Sequence, residues 1–190
     1  RRSDHASSAD GDHTAVLIVM FVSQEMVREM ERLFGVPAFR EFVMPATTTE
    51  LERIRSSQKS GRDHDVTLYI EKGDKLIVIA KHPYPPGLFR APSGGIHPGE
   101  SILEGIHREA HEETGCEIEV VRFLLRTSVE FRPIEAERGD ATVVWRSFVF
   151  LAKYRSGAFG AYTDHHEISA VRLAGWSEFE TFGRIMRLSE

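Results

Sequence analysis

The feature that most constrains this chain is a segment, residues 94–116, in which a loop rich in Gly and Pro leads directly into a short acidic helix. Ser101 opens the predicted helix, and Gly115 ends it. On a helical wheel the apolar residues gather on one side: Ile102, Leu103, Ile106 and Ala110. Because an amphipathic helix buries its apolar face, we predict that this helix packs against a sheet.

Three carboxylates stand beside the apolar stripe of this helix. Glu109, Glu112 and Glu113 are spaced by three and four residues and are therefore neighbours on the helix surface. They repel one another, and their position near the helix C-terminus adds an unfavourable interaction with the helix dipole. Arg108 is adjacent, but one guanidinium does not neutralise three carboxylates. A hard divalent cation with oxygen ligands would do so, and the pattern therefore predicts a metal site.

The loop before the helix supports the same prediction. At Ser93, Gly94 and Gly95 the backbone can approach a ligand closely, with carbonyl groups for a metal and amides for phosphate. Glu100 lies at the helix entrance, where a carboxylate satisfies free amides or pairs with an Arg. Loop and helix together predict a metal–diphosphate site. The alternative is a solvated acidic helix behind a glycine turn, which a charge cluster alone would favour.

The spacing of these residues resembles the signature of a known family. Gly94, five residues, Glu100, seven residues, and then Arg-Glu-Ala-His-Glu-Glu-Thr-Gly-Cys at 108–116 is similar to the Nudix box. Every specified position is met, with Ala110 and Cys116 at the small apolar ones. Seven fixed residues over 23 positions form a far more specific pattern than a glycine triplet. The resemblance extends over about residues 63–190 in the order of predicted strands and helices.

The Nudix resemblance implies an α/β (α+β) fold, an α/β/α sandwich with a mixed β-sheet, and metal-dependent hydrolysis of a nucleoside diphosphate linked to another moiety. By position it implies four ligands for Mg²⁺ or Mn²⁺, the last through its carbonyl: Glu109, Glu112, Glu113 and Ser93. Glu100 and Arg108 are expected to brace loop and helix through a salt bridge. Metal would neutralise the diphosphate, help to generate the attacking hydroxide and stabilise the leaving oxygen.

The general base varies within the family that the chain resembles. A box glutamate, Glu112 or Glu113, is one candidate, and a carboxylate from a later loop is another. Among later residues we favour Glu167, which precedes a predicted strand, over Glu130 and Glu135. The alternative for Glu167 is an ordinary exposed loop charge.

The sequence favours one substrate group narrowly. The run 92–95, Pro-Ser-Gly-Gly, resembles the Pro-Ala-Gly-Gly entry of ADP-ribose pyrophosphatases, which often carry Glu where this chain has Arg90. ADP-ribose or a similar nucleotide sugar is therefore favoured, and dinucleoside polyphosphates and damaged nucleoside triphosphates stay open. Gly94 and Gly95 are expected to meet the substrate, and Arg90 is either a phosphate ligand or a surface charge. A catalytically weak nucleotide-sensing module is the alternative function, against which the intact glutamate set argues.

The remaining sequence predicts an N-terminal extension before the Nudix domain. Residues 1–13 are predicted to be disordered, 14–62 to form the extension and 63–190 the domain. Strands are predicted at 15–22, 38–44, 66–70, 76–80, 117–130, 141–154 and 168–176. Helices are predicted at 24–34 and 50–58, and from residue 177. The extension is a candidate homodimer interface or substrate lid.

Charge and composition exclude several classes of partner. The net charge is −5 and there is no Lys/Arg cluster of the kind that binds nucleic acid. The best apolar run, residues 15–22, is too short to span a bilayer, which needs roughly 20 residues. The single cysteine, Cys116, excludes an internal disulfide and predicts a cytoplasmic location. The expected partner is a nucleotide-type small molecule.

Overall fold

The computed structural model describes residues 20–134 and 142–186. Within these ranges the chain forms four helices: α1 (Gln24–Phe34), α2 (Thr48–Lys59), α3 (Ile102–Thr114) and α4 (Trp176–Met186). It also forms seven strands: β1 (Ala38–Ala46), β2 (His64–Lys72), β3 (Lys75–Lys81), β4 (Ser93–Gly94), β5 (Cys116–Pro133), β6 (Val143–Gly157) and β7 (Ile168–Ala174). The predicted disorder of 1–13 and most of the predicted strand 15–22 lie outside the described residues.

The strands form one mixed sheet in the order β1-β5-β6-β2-β3-β7, with the short β4 paired to β2. The pairs β1/β5 and β6/β2 are parallel, while β5/β6, β2/β3 and β3/β7 are antiparallel. β1 comes from the segment before residue 63, yet it extends the same sheet at its edge. The description of that segment as a separate extension stays a prediction.

Helices cover both faces of the sheet. α1 and α3 pack on one face, where Leu68 and Ile70 of β2 lie in a core with Ile106 and Phe123. On β3 the side chains alternate, so that Ile77 joins this core while Leu76 and Val78 contact the opposite layer. There they pack with Phe182 and Phe179 of α4. The predicted α/β/α arrangement around a mixed sheet is confirmed.

Capping residues close in sequence define both ends of α3, the helix that contains the box glutamates. The Ser101 side chain accepts a hydrogen bond from the Glu104 amide, and the Glu104 carboxylate accepts one from the Ser101 amide in return. Gly115 has a φ of 73°, and a Cβ there would lie 2.5 Å from the Ala158 carbonyl oxygen. Only glycine therefore fits this helix end. The predicted start and end of the helix are both confirmed.

Element boundaries elsewhere differ slightly from the predictions. α4 begins at Trp176 rather than at residue 177, and β7 ends at Ala174, because Gly175 separates the two. The strand β4 was predicted as loop, since two residues carry no alternating pattern. None of the helices in the described part of the chain has both the length and the apolar character needed to cross a bilayer.

Candidate active site

Most of the residues singled out in the sequence converge on one cleft of about 300 Å³. Eight of them line it: Ser93, Gly94, Gly95, Arg108, Glu109, Glu112, Glu113 and Glu167. The loop around β4, one side of α3 and the turn before β7 supply these residues. Phe21 and Ser60, from the segment before residue 63, line the cleft as well. The fold thus assembles the site from segments that are far apart in sequence.

Arg108 ties the loop to the helix. Its Nε and Nη2 donate to the two oxygens of Glu100 at 2.6 and 2.9 Å, and Nη2 also donates to the Gly95 carbonyl at 2.7 Å. Its Nη1 donates to Glu109 Oε1 at 2.8 Å and to Glu112 Oε2 at 3.0 Å. The hydrogen bond to Arg108 lowers the pKa of Glu100, and that to Glu100 in turn raises the pKa of Arg108. A bidentate pair of this kind fixes orientation as well as charge.

Glu113 is the most deeply buried of the three glutamates, at 2% exposure. Its Oε2 accepts a hydrogen bond from the Ser93 amide at 2.7 Å, and its Oε1 lies 3.4 Å from Lys81 Nζ. Burial raises the pKa of Glu113 to about 7, against the opposing effect of Lys81. Near neutral pH the Glu113 carboxyl group is therefore partly protonated, unless a bound cation displaces the proton.

Glu109 explains why the loop carries glycine at position 94. The Glu109 residue is 9% exposed, and burial raises its pKa although Arg108 acts in the opposite direction. A Cβ on Gly94 would lie 2.0 to 2.1 Å from the carboxylate atoms of Glu109, an approach that no other residue permits. At Gly95 a Cβ would lie 2.4 Å from Arg62 Nε. Both glycines make room for charged side chains that enter the cleft.

Glu167 is connected to the glutamates of α3 through Lys81, which contacts both Glu167 and Glu113. Its carboxylate is in hydrogen-bonded ion-pair contact with Lys81 Nζ, and its side chain is 59% exposed. The turn that carries it is anchored to the end of α3, because the Thr163 and Asp164 amides donate to the Glu112 carbonyl at 2.8 and 3.1 Å. Glu167 is thereby held beside the box glutamates. Its role as general base stays a prediction.

Other candidates from the sequence lie elsewhere. Arg90 lines a second pocket, where its Nη1 is 3.4 Å from the Tyr84 hydroxyl. Glu130 pairs with Arg132 at 2.8 Å and is not among the residues that line the cleft. Glu135 is outside the described residues. The structure thus brings the box residues and Glu167 together and places Arg90 apart from them.

Two basic residues of the cleft were not found from the sequence. Lys81 is the last residue of β3, and its pKa is raised because Glu113 and Glu167 outweigh the lowering effect of burial. Arg62 lies just before β2 and donates through Nε to the His64 carbonyl at 3.2 Å. No motif marks either residue, since each is an isolated cation next to an apolar strand. In the cleft they supply positive charge close to the glutamates.

The donor set of the cleft suits a hard divalent cation. Five carboxylates line the cleft, those of Glu109, Glu112, Glu113, Asp164 and Glu167. Two of them, Glu109 and Glu113, are buried with raised pKa values. Among the residues that the structure describes, no three acidic, His or Cys side chains already stand at metal-ligand spacing. Arg108 contacts Glu109 and Glu112, and Lys81 contacts Glu113, so the chain's own cations pair with the carboxylates. Oxygen ligands and crowded negative charge are what Mg²⁺ and Mn²⁺ sites require.

Comparison with known families decides the assignment. The family model for the NUDIX domain matches residues 61–188, and this range contains the whole of the cleft except Phe21 and Ser60. The chain belongs to the Nudix family. The family predicted from the residues at 94–116 is therefore confirmed.

Individual relatives of this Nudix chain match over shorter stretches. It is 34% identical over 113 residues to the 8-oxo-dGDP phosphatase NUDT18 of Mus musculus, a match that covers 58% of this chain and 30% of that protein. It is 31% identical over 62 residues to the NAD-capped RNA hydrolase NudC of Chromobacterium violaceum, covering 33% of this chain and 23% of that protein. The chain thus spans less than a third of the length of both curated relatives.

Solved structures with a similar arrangement include a NUDIX hydrolase from Nitrosomonas europaea, with a TM-score of 0.47 and 21% identity over 65% of this chain and 78% of that one. A UDP-X diphosphatase has a TM-score of 0.47 and 18% identity, over 75% of this chain and 72% of that one.

Proposed function

We propose that this Nudix protein is a divalent-metal-dependent pyrophosphohydrolase that cleaves the diphosphate of a nucleoside diphosphate linked to another moiety. The observation that carries the proposal is the cleft itself, which is lined by Glu109, Glu112 and Glu113, by Lys81 and Arg62, and by the glycine loop at 94–95. Acidic groups for a metal and basic groups for phosphate are thereby combined in one site. ADP-ribose or a nucleotide sugar is the first substrate to test, as the run at 92–95 suggests.

The metal would be held by the carboxylates of α3 and the loop. Glu109, Glu112 and Glu113 would provide side-chain oxygens, and Ser93 its carbonyl. Bound Mg²⁺ or Mn²⁺ would neutralise diphosphate oxygens, lower the pKa of water and stabilise the leaving oxygen. Arg108 would then keep its bidentate contact with Glu100 and hold the loop against α3.

The chain's own residues would orient the diphosphate and move the proton. Arg62 and Lys81 lie where phosphate oxygens would enter, and their charges would favour the extra negative charge of the transition state. Glu167 would accept the proton of the attacking water. The water oxygen bonds to one phosphorus, the bridging P–O bond breaks, and its electron pair stays with the leaving phosphate. The products are two phosphate monoesters.

The contact between Lys81 and Glu167 gives the proposed base a fixed position. A carboxylate on an exposed turn would otherwise sample many orientations, and the ammonium group restrains it beside Glu113. Phosphate oxygens that enter next to Lys81 would compete for its ammonium group and release the Glu167 carboxylate for proton transfer. Glu112, whose side chain is 41% exposed, is the second candidate for the base.

A substrate panel tests the proposal. The protein would be incubated with ADP-ribose, nucleotide sugars, NADH, diadenosine polyphosphates and 8-oxo-dGDP, with Mg²⁺ or Mn²⁺ and with chelator, and the products separated by chromatography. NADH and 8-oxo-dGDP are included because of the names of the two curated relatives. We expect metal-dependent release of a nucleoside monophosphate. No turnover of any member, with tight binding of one, would instead support a nucleotide-sensing module.

Two matched variants distinguish turnover by this site from turnover by a contaminating enzyme. Glu112→Gln should lower turnover by orders of magnitude because it removes a metal ligand from an exposed position without disturbing the core. Glu117 lies just beyond the box, is paired with His111 and is also exposed, at 56% against 41% for Glu112. Glu117→Gln should therefore keep wild-type turnover. Equal rates for both variants would contradict the proposal.

The proposed partner is a nucleotide-type small molecule, in line with the family. The cytoplasmic location rests on the single cysteine, which the structure shows as buried and free. A homodimer formed through the N-terminal segment stays a prediction, and size-exclusion chromatography with light scattering would test it.

A further inference from the structure

A second pocket of about 560 Å³ lies on the sheet face opposite α3. Its floor is formed by strands β1, β5, β6 and β2, and residues of the loop before β4 and of α4 border it. The strand register explains this composition. Asp65 of β2 pairs with Ser147 of β6, which pairs in turn with Thr127 of β5, and their side chains share one face. A concave pocket of this size is typical of small-molecule sites.

The pocket contains an acceptor that the fold leaves unused. In the described part of the chain, the buried side-chain atoms without a hydrogen-bond partner are Asp65 Oδ1 and Arg146 Nε. Arg146 belongs to the other face and pairs with Asp63, whereas Asp65 lines the pocket. A buried acceptor without a partner destabilises the fold, so its retention in a pocket wall indicates a role for a ligand.

The walls around Asp65 suit a flat aromatic ring. Trp145, Phe131, Tyr69 and Phe179 all line the pocket, and a ring placed among them would stack or meet an edge. Arg90 lies on the same pocket wall and supplies hydrogen-bond donors. A planar ring that offers N–H donors to a carboxylate and a carbonyl oxygen to a guanidinium would therefore match the chemistry of the pocket.

Among the common nucleobases, guanine matches this chemistry best. A carboxylate only accepts hydrogen bonds, and guanine presents two adjacent donors, N1–H and the 2-amino group, beside the acceptor O6. Adenine offers the 6-amino donor beside the acceptor N1, which a carboxylate would repel. Uracil has one N–H between two carbonyl oxygens. Only guanine gives both oxygens of Asp65 a donor.

The pocket and the cleft are adjacent through β4. Thr67 and Val66 of β2 pair with Ser93 and Gly94, so that Asp65, the next residue, stands beside this short strand. Arg62 connects the two sites directly, because it lines the cleft while its guanidinium carbon lies 5.9 Å from the centre of the Trp145 ring. A base held at Trp145 would therefore direct its phosphates past Arg62 towards the glutamates.

We propose that this pocket binds the nucleobase of the substrate and that Asp65 selects guanine through its N–H donors. The inference deepens the proposed function and rests on it only for the reaction. It assigns guanine where the sequence alone favoured adenine, in ADP-ribose. Asp65 acts as a specificity-determining residue, and Arg62 spans from the base to the diphosphate.

Binding of product nucleotides tests the base site without requiring turnover. The intact protein would be titrated calorimetrically with GMP, IMP, AMP and UMP in the presence of chelator. We expect GMP to bind at least about tenfold more tightly than AMP, with IMP between them because it lacks the 2-amino group. Equal affinities for GMP and AMP, or no measurable binding of any nucleotide, would overturn the assignment.

Asp65→Asn changes the hydrogen-bond pattern with almost no change in shape. The carboxamide accepts one hydrogen bond and donates one, so it should lose about tenfold in GMP affinity and hold or gain affinity for AMP. The retained AMP affinity shows that the variant is folded. Asp74→Asn, the same change in the exposed β2–β3 turn, should leave all four affinities unchanged. A parallel loss for all nucleotides in Asp65→Asn would contradict selection by Asp65.

Turnover separates this inference from the proposed function. GDP-mannose and ADP-mannose differ only in the base, so the ratio of their kcat/KM values reports base selection in a working enzyme. A ratio near one, with hydrolysis of both, would refute the guanine site and leave the hydrolase intact. Guanine-selective binding without hydrolysis of any diphosphate would refute the hydrolase and leave the guanine site intact.

Discussion

Substitution of Glu113 by Gln should stabilise the metal-free protein while it removes metal-dependent function. Glu113 is buried, and burial raises its pKa from 4.5 to about 7. A carboxyl group whose pKa is raised on folding contributes stability that is fully present below its unfolded pKa and lost as the pH rises through its folded pKa. Above pH 7 the wild type therefore carries the full cost of a buried charge. Glutamine keeps the shape and the acceptor for the Ser93 amide.

The pKa shift sets the size of the effect. A rise from 4.5 to about 7 corresponds to about 3 kcal/mol, which the wild type loses between mildly acidic pH and pH 8. The variant also loses the contact between Glu113 and Lys81, 3.4 Å apart, although Lys81 keeps Glu167. We therefore expect a net stabilisation of about 1–3 kcal/mol at pH 8. For a chain of this length that is a rise in Tm of roughly 2–4 °C per kcal/mol.

Urea denaturation in chelator between pH 5 and 8 would measure this effect. Both proteins contain the same other titrating groups, so the difference between their free energies of unfolding isolates Glu113. We expect the difference to favour the variant and to grow with pH. Added Mg²⁺ should stabilise the wild type and have little effect on the variant. A variant that is less stable than the wild type at pH 8, with an unchanged pH profile, would refute the reasoning.

Three further substitutions test separate parts of the cleft. Gly94→Ala places a Cβ about 2 Å from the Glu109 carboxylate, so the metal affinity measured by calorimetry should fall at least tenfold. The control is Gly175→Ala, where the new Cβ has no atom within 4 Å and the affinity should match that of the wild type. Glu167→Gln should lower kcat by about 100-fold or more at unchanged metal affinity, and a wild-type kcat would exclude it as the base. Arg108→Lys keeps the charge but loses the bidentate geometry, so it should lose about 1–3 kcal/mol in urea denaturation; unchanged stability would contradict the bracing role.

The features of the site that the sequence predicted are those that depend on residues close to one another in the chain. The helix start at Ser101, its end at Gly115 and the clustering of the three glutamates depend on residues within a few turns of one another. Capping, helical periodicity and the box spacing all report such short separations. The same holds for the bidentate contact of Arg108 with Glu100, which is eight residues away.

The part that the sequence did not reveal depends on how distant strands are paired. Lys81 and Glu167 meet across 86 residues, because β3 and β7 are neighbours in the sheet. Arg62 enters the cleft because β2 pairs with β4, a two-residue strand without any periodic signal. The position of Arg90 also depends on strand pairing. Its backbone pairs with Ile79, and its side chain therefore lies at the second pocket rather than in the cleft.

The central claim is that the cleft hydrolyses a diphosphate with the help of a divalent metal. The most direct test is hydrolysis of the best panel substrate in ¹⁸O-labelled water, with the products followed by mass spectrometry in Mg²⁺ and in chelator, for the wild type and Glu112→Gln. We expect a nucleoside monophosphate and a second phosphate product, one of the two carrying a single ¹⁸O, only with the wild type in Mg²⁺. Product formation that survives chelator or the loss of Glu112 would contradict it.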